Sequence, residues 1–193
     1  MSYLLSAGID EAGRGPLAGE VVAAAVILPE QYQLPIPLRD SKKLSQRQRA
    51  LLFPAITNIA LSFAIASASV EEIDRLNILQ ASLLAMQRAI DCLTLRPEIA
   101  LIDGPHAPPE LVIPYQCIIK GDQKVAAISA ASILAKHARD QRMLELDAQY
   151  PQYGFKNHKG YGTRAHLKAL ALFGPCPAHR QSFSPVCNFL PFN

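Results

Sequence analysis

A chain of 193 residues, half of them hydrophobic and 18% charged, is long enough to bury a core and too apolar to stay disordered. No apolar run approaches the roughly 20 residues that span a bilayer, and Asp10 and Glu11 interrupt the stretch where a signal peptide needs an unbroken apolar core, so a single soluble, cytoplasmic domain over residues 1–193 is expected. The net charge of +3 is small but uneven: from Lys120 to Arg180 ten Lys or Arg stand against four acids, and elsewhere nine against twelve, which suits a polyanion held by its backbone.

Tyr3 to Ile9 reads as a strand and Glu20 to Leu28, rich in Val and Ala, as a second, forming an antiparallel hairpin with a long glycine-containing loop. Three prolines make Pro29 to Pro37 a connection. Ser45 is placed as the N-cap of a helix to about Ile59, which Pro54 is expected to kink or divide. Leu61 to Ser69 completes a meander, and Val70 to Arg75 gives one or two helical turns. Asn77 is placed as the cap of a helix to about Leu95, whose Leu79, Leu83, Met86 and Ile90 recur at core spacing. Ile99 to Ile102 is wholly apolar and reads as a buried parallel strand, with Gln116 to Ile119 as the fifth strand.

A long helix follows to about Tyr150, with Ser129, Ser132, Lys136 and Asp140 on one polar stripe and Ile133, Leu134 and Ala138 outside it. Tyr153 to Thr163 is aromatic, basic and glycine-rich; Thr163 begins a last helix to about Phe173, and four prolines leave Gly174 to Asn193 irregular. The expected architecture is α/β: a five-stranded mixed sheet flanked by helices, with a small helical and irregular C-terminal appendage from about residue 150.

Chemistry concentrates in Gly8-Ile9-Asp10-Glu11-Ala12-Gly13-Arg14-Gly15-Pro16. Neighbouring acids on an extended chain point to opposite faces, so convergence of Asp10 and Glu11 requires the strand to end or kink between them. Acids held close raise each other's pKa unless a cation joins them. Gly13 and Gly15 let backbone N–H groups approach an anion, and Arg14 adds a planar fork. The competing reading is a surface turn with two solvated acids. Asp103, ending the fourth strand, and Asp122, after the fifth, join them by position, although Asp103-Gly104-Pro105 is also a good turn and Asp122 alone reads as a helix cap. Two divalent ions on such a set would activate water and stabilise the leaving oxygen at phosphorus. Cys92, Cys117, Cys176 and Cys187 lack C-x-x-C spacing and read as reduced thiols, and the five histidines lack any zinc spacing.

In chain order, Gly8 to Gly19, Asp40-Ser41-Lys42-Lys43-Leu44, Asp103-Gly104, Lys120-Gly121-Asp122, Ser129 to Lys136, Arg139-Asp140 and His158-Lys159-Gly160-Tyr161-Gly162-Thr163 resemble ribonuclease HII of the bacterial type, over Leu5 to about Val186. The resemblance implies a ribonuclease H-like fold and an endonuclease that cuts 5′ to a ribonucleotide, in RNA–DNA hybrids and at single ribonucleotides in duplex DNA, leaving a 3′-hydroxyl and a 5′-phosphate. It implies Asp10, Glu11, Asp103 and Asp122 as catalytic ligands of Mg²⁺ or Mn²⁺, two ions per site. Gly13, Arg14 and Gly15 match the loop that senses the 2′-hydroxyl, and Tyr161 the ring that packs on the next deoxynucleotide sugar.

Lys42, Lys43, Ser132, Lys136 and Lys159 are expected as further substrate contacts. Asp140 either orients Lys136 or Arg139, or only forms an i,i+4 pair. Glu20 stands where the family usually has proline, adding negative charge near the site, and the chain shows no extra N-terminal substrate-binding domain of the ribonuclease HIII type. A monomer is expected. Phe189-Leu190-Pro191-Phe192 reads as a tail packing on the core, with a sliding-clamp peptide as the other possibility. The competing functions are a resolvase-like DNA nuclease of the same fold and a non-catalytic nucleic-acid-binding module.

Overall fold

In the computed structural model, residues 5–38 and 44–189 are described. Strand β1 (Ser6–Ala12) pairs antiparallel with β2 (Val21–Ile27), and β2 with β3 (Ser62–Ala68). Strand β4 (Ile99–Asp103) lies parallel to β1, and β5 (Tyr115–Ile118) parallel to β4, so the mixed sheet has five strands in the order β3-β2-β1-β4-β5. The helices are α1 (Gln46–Ile59), α2 (Val70–Leu76), α3 (Ile78–Asp91), α4 (Ala126–Gln149), α5 (Phe155–His158) and α6 (Arg164–Phe173).

Strand β2 is buried along its whole length because both faces are covered. Val21, Ala23, Ala25 and Ile27 join Ala7 and Ile9 of β1 in a core with α3, while Ala24 and Val26 pack with Leu52 and Ile56 of α1 and with Ala130, Ile133 and Leu134 of α4. The period of two thus decides which side of the sheet each residue faces. Gly8, between Ala7 and Ile9, turns to α4, where a Cβ would stand only 2.1 Å from Ala127 C and 2.2 Å from Ile128 N. Glycine is what lets the longest helix lie directly on β1.

A third, smaller core joins the appendage to the rest. Leu17 and Ala18 from the β1–β2 connection pack with Met143 of α4, Tyr153, Phe155 of α5, Leu170 of α6 and Val186 of the tail. Among the described residues no helix is long and apolar enough to cross a membrane.

The side chains of Ser45, Asn77 and Thr163 accept backbone N–H groups as N-caps, as expected. Four expectations are corrected. Strand β1 continues through Asp10 and Glu11 to Ala12, so it neither ends nor breaks between the acids. Helix α1 runs unbroken through Pro54, with Leu52 and Ile56 buried on either side of it. Helix α3 stops at Asp91 and not near Leu95, because Ser62 Oγ accepts the N–H of Thr94 at 3.0 Å and draws the chain to β3. Strand β4 is buried at Ala100 and Ile102 but only partly at Ile99 and Leu101.

Candidate active site

Ladder termination creates the site. The parallel register of β1 with β4 ends at Ile9 opposite Ile102, while β1 continues to Ala12 beside β2 alone. The edge of β1 at Asp10 and Glu11 is therefore open towards the end of β4, where Asp103 stands. Asp10 is in step with Gly8 and so turns to the α4 side, where Ser132 hydrogen-bonds its carboxylate. Its Oδ1 also accepts the N–H of Glu11 at 2.7 Å. Asp10, Glu11 and Asp103 line one cavity of about 470 Å³. Burial holds the Asp10 carboxyl well above its usual range, and the charges of Glu11 and Asp103 push it further, against the hydrogen bond from Ser132. Glu11 is raised too, first by burial and then by Asp103, with Arg14 opposing. Arg14 Nη1 approaches Glu11 Oε1 at 3.4 Å.

Asp122 is fully buried in the 3₁₀ turn Gly121–Gln123 before α4 and does not line this cavity. Its neighbour Gly121 donates its N–H to Asp103 Oδ1 at 2.7 Å, which ties the turn to the acids. Among the described residues no three His, Cys, Asp or Glu side chains already stand close enough together to hold a metal ion. The donor set nevertheless suits a hard divalent ion: oxygen atoms only, buried at Asp10 and Asp122 and half-buried at Glu11 and Asp103, with repulsion around Asp10 and Glu11 that a cation relieves. Mg²⁺ keeps waters and takes substrate oxygens as ligands, so an open protein site suits it.

The bend after β1 forms a second wall. Gly13, Arg14 and Gly15 line the cavity, Gly13 with φ +101°, a conformation open to glycine. Tyr161, 46% exposed, stands across from them, with its Cε1 3.5 Å from where a Gly15 Cβ would lie. Ser132, Lys136 and Arg49 line it as well. Asp140, buried in α4, accepts Lys136 Nζ at 2.7 Å and Arg49 Nη2 at 3.2 Å, and its charge also acts on Arg139. Burial lowers the Lys136 pKa, with Asp140 opposing.

Other expected residues fall elsewhere. Lys159 donates its Nζ to Lys156 O at 2.6 Å and does not line the cavity. Glu20 pairs with Arg142, also outside the cavity. Lys42, Lys43 and residues 190–193 of the tail lie outside the described residues. Sequence reading missed Arg49, because its part in the site depends on Asp140, 91 residues away. It also missed the buried Arg180, and it read Arg139 only beside Asp140 and not with the carbonyls that hold it. Arg139 donates to Glu20 O, Lys159 O and Ala18 O, and Arg180 to the carbonyls of Gly13, Arg14, Pro16 and Gly19. No local pattern marks a cation whose partners are distant main-chain carbonyls.

Known proteins share this architecture. A family model described as Ribonuclease HII matches residues 7–186. The ribonuclease HII of Coxiella burnetii (strain Dugway 5J108-111) is 60% identical over 185 residues, 96% of this chain and 91% of that protein. The crystal structure of ribonuclease H2 from Pyrococcus horikoshii OT3 superposes with a TM-score of 0.78 at 25% identity, covering 95% of this chain and 96% of that one. A ribonuclease HII from Archaeoglobus fulgidus, solved in complex with PCNA, gives a TM-score of 0.72 at 27% identity over 94% of this chain and 96% of that one. With a family match over nearly its whole length, buried acids at the end of β1 and a sheet shared with these enzymes, the chain belongs to the ribonuclease HII family of metal-dependent endonucleases.

Proposed function

We propose that the enzyme hydrolyses the phosphodiester on the 5′ side of a ribonucleotide, both in RNA–DNA hybrids and at single ribonucleotides within duplex DNA, leaving a 3′-hydroxyl and a 5′-phosphate. The observation that carries this reading is one cavity in which Asp10, Glu11 and Asp103 face the Gly13-Arg14-Gly15 bend and Tyr161. Two divalent ions, Mg²⁺ or Mn²⁺, held by Asp10, Glu11, Asp103 and Asp122, would supply an activated water and charge stabilisation at the leaving oxygen.

The chain's own groups select the bond. The bend brings backbone N–H groups close to a sugar-phosphate, and a 2′-hydroxyl is the group that distinguishes RNA from DNA there. Tyr161 offers a ring face to the next sugar, where an extra hydroxyl would crowd it; the pair reads an RNA-to-DNA step. Lys136 and Arg49, held by Asp140, present charge to neighbouring phosphates. Ser132 acts through Asp10, whose carboxylate it orients. A monomer acting in the cytoplasm belongs to the same reading, and the four free thiols accord with that compartment. The Archaeoglobus complex with PCNA supports clamp recruitment of this chain as well.

The test is a labelled duplex with one ribonucleotide, beside a uniform RNA–DNA hybrid and an all-DNA control, with Mg²⁺ or Mn²⁺. Cleavage is expected 5′ to the ribonucleotide and in the hybrid only, with Asp10→Asn lowering kcat by about 1,000-fold or more. Equal cutting of the DNA control, or a 3′-phosphate product, would overturn the reading.

A further inference from the structure

Arg180 is a fully buried cation whose four hydrogen bonds all go to main-chain carbonyls of one loop. Nη2 donates to Gly13 O at 2.6 Å, Nη1 to Arg14 O at 3.0 Å and Pro16 O at 2.8 Å, and Nε to Gly19 O at 2.8 Å. In a trans peptide the C=O of one residue and the N–H of the next point opposite ways. Carbonyls of Gly13 and Arg14 drawn inward to the guanidinium therefore turn the N–H groups of Arg14 and Gly15 outward. The same rule sends the Leu17 N–H away from Pro16 O, and it is found on Gly160 O at 2.8 Å, in the Tyr161 loop.

The preceding residue, His179, reaches that loop from the other side. The Cys176 N–H donates to His179 Nδ1 at 3.0 Å, and an amide N–H can only donate, so Nδ1 is the acceptor. His179 then carries its proton on Nε2 and donates it to His166 Nε2 at 3.0 Å. His166 must in turn hold its proton on Nδ1, which lies 3.0 Å from Tyr161 O. One direction of donation runs from Cys176 through two neutral imidazoles to the carbonyl of Tyr161. Both rings are fully buried, and each could accept a proton only by breaking this chain.

We propose that His179 and Arg180 are the positioning pair of the ribonucleotide reader: Arg180 aims the amides of Arg14 and Gly15 outward, and His179, through His166, fixes Tyr161 opposite them. This rests on the reading of the bend and Tyr161 given above. Because the two residues are adjacent, one short segment of the C-terminal appendage sets the distance between two reading elements that are remote in sequence. The Ala18–His179 bridge and the Gly19 N–H on Ala178 O at 2.8 Å lock that segment to the bend. Arginine suits the task because its fixed planar fork reaches several carbonyls at once; a lysine ammonium is a point donor.

The readout is the ratio of kcat/KM on a single ribonucleotide in duplex DNA to that on a uniform RNA–DNA hybrid. Arg180→Lys and His179→Leu are expected to lower this ratio about tenfold. His179→Gln, which keeps an N–H donor for His166, is expected to restore most of it. A merely structural role would reduce both activities in proportion to the folded fraction and leave the ratio unchanged, which would overturn the proposal. Tyr161→Ala separates the two levels. If it leaves the ratio unchanged, the functional reading fails and the positioning pair with it. If Tyr161→Ala moves the ratio and the His179 and Arg180 variants do not, only the positioning pair falls. Where a variant does not accumulate as folded protein, ¹⁵N NMR of the unaltered enzyme decides: a proton on His179 Nε2 and one on His166 Nδ1 are expected, and the opposite tautomers would overturn the relay.

Discussion

Acidification should destabilise this fold through His179. Burial, with His166 at 3.0 Å adding to it, pushes the His179 pKa down to about 4. His158 stacks on His166 with ring centroids 4.5 Å apart, and the rings of Tyr153 and Phe155 pack on His179, which is itself fully buried. An unfolded histidine titrates near 6.5, so the folded pKa is the lower of the two. Between these values the unfolded chain takes up a proton that the folded one refuses. The contribution is complete above pH 6.5 and is lost as pH falls towards 4. At pH 5.0 the difference amounts to about 2 kcal/mol relative to pH 7.5. Urea unfolding at both pH values, on the enzyme and on His179→Gln, isolates this amount, because shifted carboxylates contribute alike to both proteins. The variant should lose about 2 kcal/mol less on acidification. Parallel losses would refute the buried neutral pair.

Gly8→Ala would put a methyl 2.1 Å from the backbone of α4, forcing the helix off β1; a loss of about 3 kcal/mol is expected, and an unchanged urea midpoint would refute the packing. Asp140→Asn leaves Lys136 and Arg49, whose side chains are 32% and 13% exposed, without their carboxylate, which should cost about 2 kcal/mol and raise KM on either substrate. An unchanged KM would remove Asp140 from the phosphate-facing wall. Asp10→Asn removes a buried carboxylate that its neighbours hold well above its usual pKa while keeping an acceptor for the Glu11 N–H, so in EDTA the inactive variant should be more stable than the enzyme, by about 1 kcal/mol. Adding Mg²⁺ should raise the midpoint of the enzyme and not of the variant; a less stable variant in EDTA would contradict the repulsion.

What the sequence made legible was local. The caps at Ser45, Asn77 and Thr163 depend on residues two or three positions on, and each is present. The β1–β2 hairpin followed from two apolar runs and the glycine-containing connection between them, and the parallel β4 from its apolar run. Misreadings arose where a distant contact decided. That α3 stops at Asp91 depends on the Ser62 hydroxyl, 32 residues from Thr94. The convergence of Asp10 and Glu11 was expected from a broken strand; it comes from an intact strand that has outrun its parallel neighbour, which no residue near Asp10 announces. Asp10, Glu11 and Asp103 were legible because acids at strand ends are rare enough to notice. Arg180 was not, since its partners lie 161 to 167 residues away and are carbonyls, which every residue has.

The site therefore combines two kinds of buried charge with opposite consequences. Asp10 and Glu11 are held where each raises the energy of the other's ionised form, a cost that only a cation or a proton relieves. Arg139 and Arg180 are buried with main-chain carbonyls as their hydrogen-bond acceptors, and those bonds offset desolvation without neutralising the charge. Had each arginine been paired with a carboxylate, the bend would have lost the donors that shape it. As built, the acids repel each other until a cation arrives, while the bend proposed to read the sugar is held in place beforehand. Preorganisation on the selecting side costs nothing when substrate binds, whereas repulsion on the catalytic side is released by the cations that hydrolysis requires.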